Sequence, residues 1–276
     1  MKIFLNFFNY IKFFISFYFT SYFNYKINKI KEKEYYLDLQ KKYLSKGELY
    51  QIRNFEIKNK NSIDRVWLNK LALHTQVTLK KSEINYEHGK ILYSALCNYL
   101  NNRKNKTIDC IILETGSAKG FSSICMSKAL IDCNQSGEIF TIDLIPHKSK
   151  RYWNVIDDFE GKKTREDLLK NWKFELENVK FITGNINSTL KEIDLKYINF
   201  AFIDSIHTSS QILKEFKYIS NRQGIGDLII LDDIDTNYNR HNEPNFKYLL
   251  DNYPNYKFEF IESFFPRCYA VAKKIK

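Results

Sequence analysis

Ile111-Ile112-Leu113-Glu114-Thr115-Gly116-Ser117-Ala118-Lys119-Gly120-Phe121-Ser122 is an apolar run that stops at an acid and opens into a glycine-spaced turn. It reads as strand, tight turn and helix. Glycine has no Cβ and reaches φ > 0, so such a turn brings backbone N–H groups close to a ligand at a helix N-terminus. A nucleoside-like ligand is expected here. A dinucleotide fingerprint needs G-x-G-x-x-G, but Ala118 and Phe121 occupy its second and third glycine places counted from Gly116. The pattern T-G-x-x-x-G-x-G fits Thr115, Gly116 and Gly120 but ends on Ser122. Tyr-x-x-x-Lys pairs such as Tyr22/Lys26 and Tyr269/Lys273 lie before the fold and in its last predicted strand, away from the mid-chain place that pattern needs. A nicotinamide oxidoreductase is disfavoured.

Four more strands follow at regular spacing, over residues 137–143, 178–185, 198–204 and 227–233, each ending on a polar residue. Short apolar runs separated by helical patterns argue a parallel sheet buried on both faces. Helices are expected over residues 120–131, 209–219 and 245–252, and another begins at Thr164-Arg165-Glu166-Asp167 with a hydroxyl cap and first-turn acids. Residues 257–262 alternate and residues 268–272 are apolar, which completes seven strands. Ligands of open α/β sheets bind at the carboxyl ends of the strands, near the reversal of strand order. That rule gathers Glu114, Asp143, Asp204, Asp232 and Asp233 on one rim.

The spacing Glu114-x-Gly116-x-x-x-Gly120-x-Ser122 resembles the first motif of class I S-adenosylmethionine (SAM) dependent methyltransferases. The resemblance covers about residues 85 to 273. It implies a Rossmann-like, mostly parallel seven-stranded α/β sheet with helices on both faces, and SAM held by Glu114, Gly116, Ser117, Gly120, Ser122, Asp143, Asn185 and Asp204. Asp143 would take the ribose hydroxyls, and Gly184-Asn185 matches the adenine-side turn.

Asp204-Ser205-Ile206-His207, with Asp232-Asp233 one strand later, is similar to the metal-dependent sugar O-methyltransferases of methyltransferase family 24. Carried over by position, Asp204, Asp232 and Asp233 would be Mg²⁺ ligands, and His207 the general base that takes the acceptor's proton. Carboxylate oxygens suit Mg²⁺, and a metal or a histidine can activate a hydroxyl for in-line transfer. Ser205 stands where that subgroup often has Gly, and Gly226-Asp227 where it has Gly-Gly. The stretch Tyr86-Glu87-His88-Gly89-Lys90-Ile91-Leu92-Tyr93 resembles the Glu-Gly helix that the subgroup folds over its cofactor, with His88 structural. Residues 152–165 resemble an insertion of polysaccharide and lipid-linked sugar methyltransferases. Trp153 there is either a sugar-stacking platform or core. His74, His147 and His241 suggest no partner. The implied enzyme is a SAM-dependent O-methyltransferase acting on a hydroxyl of a sugar or lipid-linked glycan. A non-catalytic SAM-binding or membrane-tethering protein and an RNA methyltransferase remain as alternatives.

Five scattered cysteines, Cys97, Cys110, Cys125, Cys133 and Cys268, contain no C-x-x-C pair. They argue reduced thiols in a cytoplasmic setting rather than disulfides or structural zinc. The net charge is +11, but residues 1–60 hold 12 basic and 5 acidic side chains, so most of the excess lies outside the catalytic domain. No RNA-binding signature accompanies it, and nucleic acid is not the expected partner.

The division expected is a hydrophobic and basic helix over residues 1–30, a helical cap and linker over 31–106, and the methyltransferase domain over 107–276. Residues 3–23 hold eight Phe, three Ile and one Leu, interrupted by Asn6, Asn9, Lys12 and Ser16. A central Lys costs about 2.5–3.5 kcal/mol on insertion scales and each large apolar residue returns about 0.3–0.6, so spanning a bilayer is near neutral. A helix lying on the cytoplasmic membrane face through residues 1–33, with Lys26, Lys29, Lys31 and Lys33 against anionic headgroups, is the other reading. A helix packed on the domain or on a second subunit is the third.

Overall fold

The computed structural model describes residues 32–79, 83–103, 105–158, 160–205, 208–234, 246–264 and 268–276. The expected anchor over residues 3–23 lies outside the described residues. Among the described residues, no helix is long and apolar enough to cross a membrane.

Four helices precede the sheet: α1 (Lys33–Leu44), α2 (Tyr50–Asn59), α3 (Arg65–Thr75) and α4 (His88–Asn102). Asp64 caps α3 by accepting from the Trp67 N–H at 2.6 Å. The remaining elements are β1 (Cys110–Thr115), α5 (Phe121–Asp132), β2 (Gly137–Asp143), α6 (Arg165–Leu168), α7 (Lys173–Leu176), β3 (Val179–Thr183), α8 (Ile186–Glu192), β4 (Phe200–Ile203), α9 (Ser209–Ser220), β5 (Leu228–Leu231), α10 (Phe246–Asn252), β6 (Tyr256–Glu262) and β7 (Cys268–Lys274). All seven expected strands form. The helix expected from Thr164 has its cap, with Thr164 and Asp167 bonding reciprocally, but runs only four residues before a 3₁₀ turn at Lys170–Trp172.

The strands order as β3-β2-β1-β4-β5-β7-β6, parallel except for β7, which runs antiparallel between β5 and β6. Successive residues of β1 serve opposite faces. Ile112 joins a core with Leu92 and Leu96 of α4 and Ile124 and Leu130 of α5. Leu113 joins a second core with Ile212, Phe216 and Ile219 of α9. Burial on both sides explains why the strands read as uninterrupted apolar runs. The first core also takes in Tyr43, Ile52, Phe55, Leu68 and Leu71, so the leading helices share it with the sheet. Strand order reverses between β1 and β4, which leaves a crevice at their carboxyl ends. All five cysteines are free, and four of them are buried.

Candidate active site

The rim of that crevice begins with the turn after β1. Gly116 has φ +100° and Gly120 has φ +87°, and the turn closes with the Gly120 N–H donating to the Ser117 carbonyl at 2.7 Å. A Cβ on Gly120 would meet Leu169 Cδ1 at 2.8 Å. Gly120 also starts α5, whose first N–H groups lack intrahelical acceptors and face the rim.

Across the turn stands Asp143 at the end of β2. Its Oδ2 accepts from the Ala118 N–H at 2.6 Å and its Oδ1 from the Ile145 N–H at 2.8 Å. Each oxygen keeps a second lone pair for a ligand. Asn185, at the end of β3, is exposed and caps α8 by accepting from the Asn187 N–H at 3.0 Å.

Three residues expected to touch the cofactor turn their side chains inward instead. Glu114 has no exposed surface, and both of its carboxylate oxygens accept from the Ser122 and Ser123 hydroxyls. Burial raises the Glu114 pKa, and the two hydroxyls oppose the rise. The pair with Ser122 therefore ties β1 to the first turn of α5. Ser117 is buried and shares a hydrogen bond with the Thr141 hydroxyl of β2. Side chains at these places hold the turn in shape.

On the other side of the reversal lie the acids of β4 and β5. The Asp204 N–H continues the ladder to the Thr115 carbonyl at 2.9 Å, and the Asp232 N–H to the Ile203 carbonyl at 3.0 Å. Asp233 has φ +49°, and its N–H donates to Asp232 Oδ1 at 2.9 Å. Burial and the facing Asp232 and Asp233 carboxylates push the Asp204 carboxyl well above the usual carboxylate range. The structure thus brings the three expected acids together. Among the described residues, no group of three or more His, Cys, Asp or Glu side chains has the arrangement to hold a metal ion. The expected base, His207, lies outside the described residues, as does His241.

Glu215 of α9 carries no expected role, yet it organises this rim. Fully buried, it accepts from the Thr115 hydroxyl at 2.6 Å, the Ser205 hydroxyl at 2.7 Å and the Gln211 amide at 2.6 Å. The Asn187 amide in turn donates to Gln211 at 3.0 Å. One carboxylate therefore fastens the ends of β1 and β4 and, through Gln211, the start of α8. Its sequence signal is a charge inside the apolar stripe Ile212, Phe216, Ile219 of α9.

The Tyr86–Tyr93 stretch lies at the start of α4, ahead of β1, and packs on β4 and α5. His88 stacks on Phe202 at 6.0 Å and meets Phe121 edge-on at 4.9 Å, as a structural histidine would. Glu87 is buried and accepts from Tyr43 and from Lys90 at 3.1 Å.

The insertion after β2 decides between the two readings of Trp153. Trp153 is 4% exposed, packs with Val155 and Leu168, and donates from Nε1 to the Lys163 carbonyl at 2.7 Å. Arg151 and Arg165 lie over its ring, with centroid distances of 5.0 and 5.8 Å. It is core and offers no face to a sugar. Asn154 anchors the insertion to the leading helices, accepting from Tyr36 at 3.0 Å and donating to the Leu79 carbonyl at 2.7 Å. Two other histidines also gain partners here. His74 Nδ1 lies 2.5 Å from Asp157, and His147 stacks on Phe181 at 4.3 Å.

A doubly wound sheet of this order, with its penultimate position filled by an antiparallel strand and a glycine turn at the end of β1, defines the class I methyltransferase fold. Residues 113–234 match the family described as methyltransferase domain. Over that segment the chain is similar to methyltransferase domains, and the sheet it belongs to has the fold of SAM-dependent methyltransferases. It is similar to the O-methyltransferase TomG from Streptomyces achromogenes, solved in complex with SAM (TM-score 0.55, 16% identity, 78% of this chain and 92% of that one). A putative O-methyltransferase from Klebsiella pneumoniae is similar to the same degree (TM-score 0.54, 16% identity, 81% and 96%). The O-methyltransferase from Bacillus cereus in complex with S-adenosylhomocysteine also matches (TM-score 0.50, 16% identity, 84% and 96%). No curated protein matches the chain in sequence.

Proposed function

We propose that the protein transfers a methyl group from SAM to a hydroxyl of a sugar or lipid-linked glycan. The observation that carries this reading is the pairing of two unlike halves across the strand-order reversal. On one side, Asp143 faces the 116–120 turn, an arrangement suited to a ribose diol and an amino-acid tail. On the other, Asp204, Asp232 and Asp233 converge, where an acceptor hydroxyl would have to lose its proton. The O-methyltransferases of matching fold support the reaction class. The glycan acceptor rests on the Asp204-Ser205-Ile206-His207 pattern, since buried Trp153 no longer supports it.

In this reading His207 accepts the acceptor proton, and Asp204, Asp232 and Asp233, which among the described residues do not stand as a metal-holding group, would have to close on Mg²⁺ for it to lower the hydroxyl's pKa. The convergence that raises the Asp204 carboxyl favours either a proton or a cation there. Residues 1–33 would hold the domain at the cytoplasmic membrane face through phenylalanines and Lys26, Lys29, Lys31 and Lys33. Sedimentation of the full chain with anionic but not neutral vesicles tests that attachment.

Calorimetry on the full chain, with S-adenosylhomocysteine against NADH and each with and without Mg²⁺, tests the core of the proposal. Micromolar binding of the first alone is expected, followed by turnover in a screen of sugar acceptors. His207→Ala should abolish turnover and retain the cofactor. A folded chain that binds no S-adenosylhomocysteine would overturn the proposal, and one that binds it but methylates nothing would favour a binding module.

A further inference from the structure

Arg165 opens α6 from the insertion and lies beneath the glycine turn, 1% exposed. Its Nε donates to the Ala118 carbonyl at 2.9 Å and its NH2 nitrogen to the Ile145 carbonyl at 3.2 Å. Its guanidinium lies 4.8 Å from the centre of the Phe181 ring. Ala118 has φ +41°, a left-handed conformation that costs an L-residue about 1–2 kcal/mol. Its N–H donates to Asp143 while its carbonyl accepts from Arg165, so both of its backbone polar atoms are gripped. Ile145 is held in the same way, its N–H by Asp143 and its carbonyl by Arg165.

Burying a guanidinium is costly, and burial brings the pKa of Arg165 down to about 10 against the pull of Asp143 and Glu114. Two carbonyls and aromatic rings do not require a full charge. Asp143 and Glu114 are the nearby groups that gain from one, and Asp143 is the one that stands at the turn.

We propose that Arg165 is a positioning residue for the nucleoside half of the cofactor: it fixes Ala118 and Ile145 from below, and so sets the Asp143 carboxylate where it accepts the ribose hydroxyls. The insertion thereby serves the cofactor rather than the acceptor. This rests on the SAM reading proposed above.

The test is calorimetry on the full chain and on Arg165→Met, Arg165→Lys, Asp143→Asn and the Arg165→Met/Asp143→Asn double variant. The probes are S-adenosylhomocysteine and 5′-methylthioadenosine, which lacks the amino-acid half. Arg165→Met should weaken both probes by a common factor of about tenfold or more, the scale of one hydrogen bond to a charged group. In the double variant the losses should not multiply, because both substitutions act through one carboxylate. Arg165→Lys keeps the charge but not the fork and should fall between; it carries the comparison if the Met variant does not fold. Binding within twofold of the parent chain in a folded Arg165 variant would overturn the proposal, as would losses that multiply. Failure of the parent chain to bind either probe would instead strike the SAM reading.

Discussion

A Cβ placed on Gly116 would stand 2.0 Å from the carbonyl oxygen of Asp204. The two halves of the rim are in contact through backbone, and only a glycine at φ +100° lets them meet. Gly116→Ala should therefore push β1 and β4 apart. The dihedral strain alone is about 1–2 kcal/mol, and the collision adds to it. A lowered melting temperature and lost S-adenosylhomocysteine binding are expected. Gly120→Ala should be milder, since its Cβ would meet the tip of the Leu169 side chain rather than backbone. Equal behaviour of the two variants would count against this account.

Replacing Glu215 by Leu would leave the Thr115 and Ser205 hydroxyls and the Gln211 amide without their buried acceptor. The expected loss is about 3 kcal/mol, given about 1–3 for each buried polar group left unsatisfied and some relaxation. Ser205→Gly, which removes one donor, should cost about 1 kcal/mol. Urea unfolding measures both. A Leu variant as stable as the parent would mean that the network carries no net energy.

Stability should fall with acid through two histidines. Burial holds the His74 imidazole below its usual 6.5, outweighing the Asp157 carboxylate, and burial with Arg165 nearby does the same to His147. For a group depressed on folding, the stabilising contribution is present above the unfolded value of 6.5 and is lost as pH falls through the folded value. The melting temperature should drop between about pH 7.5 and about pH 5.5, and drop less in His74→Gln and His147→Gln. Glu114, Asp158, Asp204 and Asp227, raised by burial, titrate with the opposite sign. The informative quantity is thus the difference in slope between parent and variant, and identical slopes would refute the assignment.

Trp153→Ala should cost about 3–5 kcal/mol, as for a fully buried aromatic. Trp153→Phe keeps most of the packing but loses the bond to the Lys163 carbonyl, about 1 kcal/mol. If both variants were as stable as the parent while acceptor affinity fell, Trp153 would be a ligand platform after all.

Much of the sheet was legible because buried parallel strands carry their own mark, and the runs ending at Glu114, Asp143, Asp204 and Asp232 could be read without knowing their neighbours. The turn was equally plain, since Gly116 and Gly120 are required by backbone conformation. What composition could not reveal was direction. Glu114, Ser117 and Ser122 have the chemistry of ligand contacts, but Glu114 and Ser122 bond to each other and Ser117 to Thr141 of β2. Trp153 fits a platform or the core equally well in the sequence, and only the arginines over its ring make it core. Arg165 read as an ordinary first-turn residue, because arginine is almost never fully buried. Glu215 did leave a trace, a charge where α9 should be apolar.

The position of β7 between β5 and β6 bears on how the chain assembles during vectorial synthesis. β6 leaves the ribosome before β7, yet β7 is the only strand with which it pairs among the described residues. Until Tyr269, Ala270 and Ala272 slot in, β5 presents an open apolar edge and β6 has no seat. The last act of sheet formation is thus an insertion rather than an addition at the rim. Pulse-labelled hydrogen exchange should find the amides of β6 protected no earlier than those of β7.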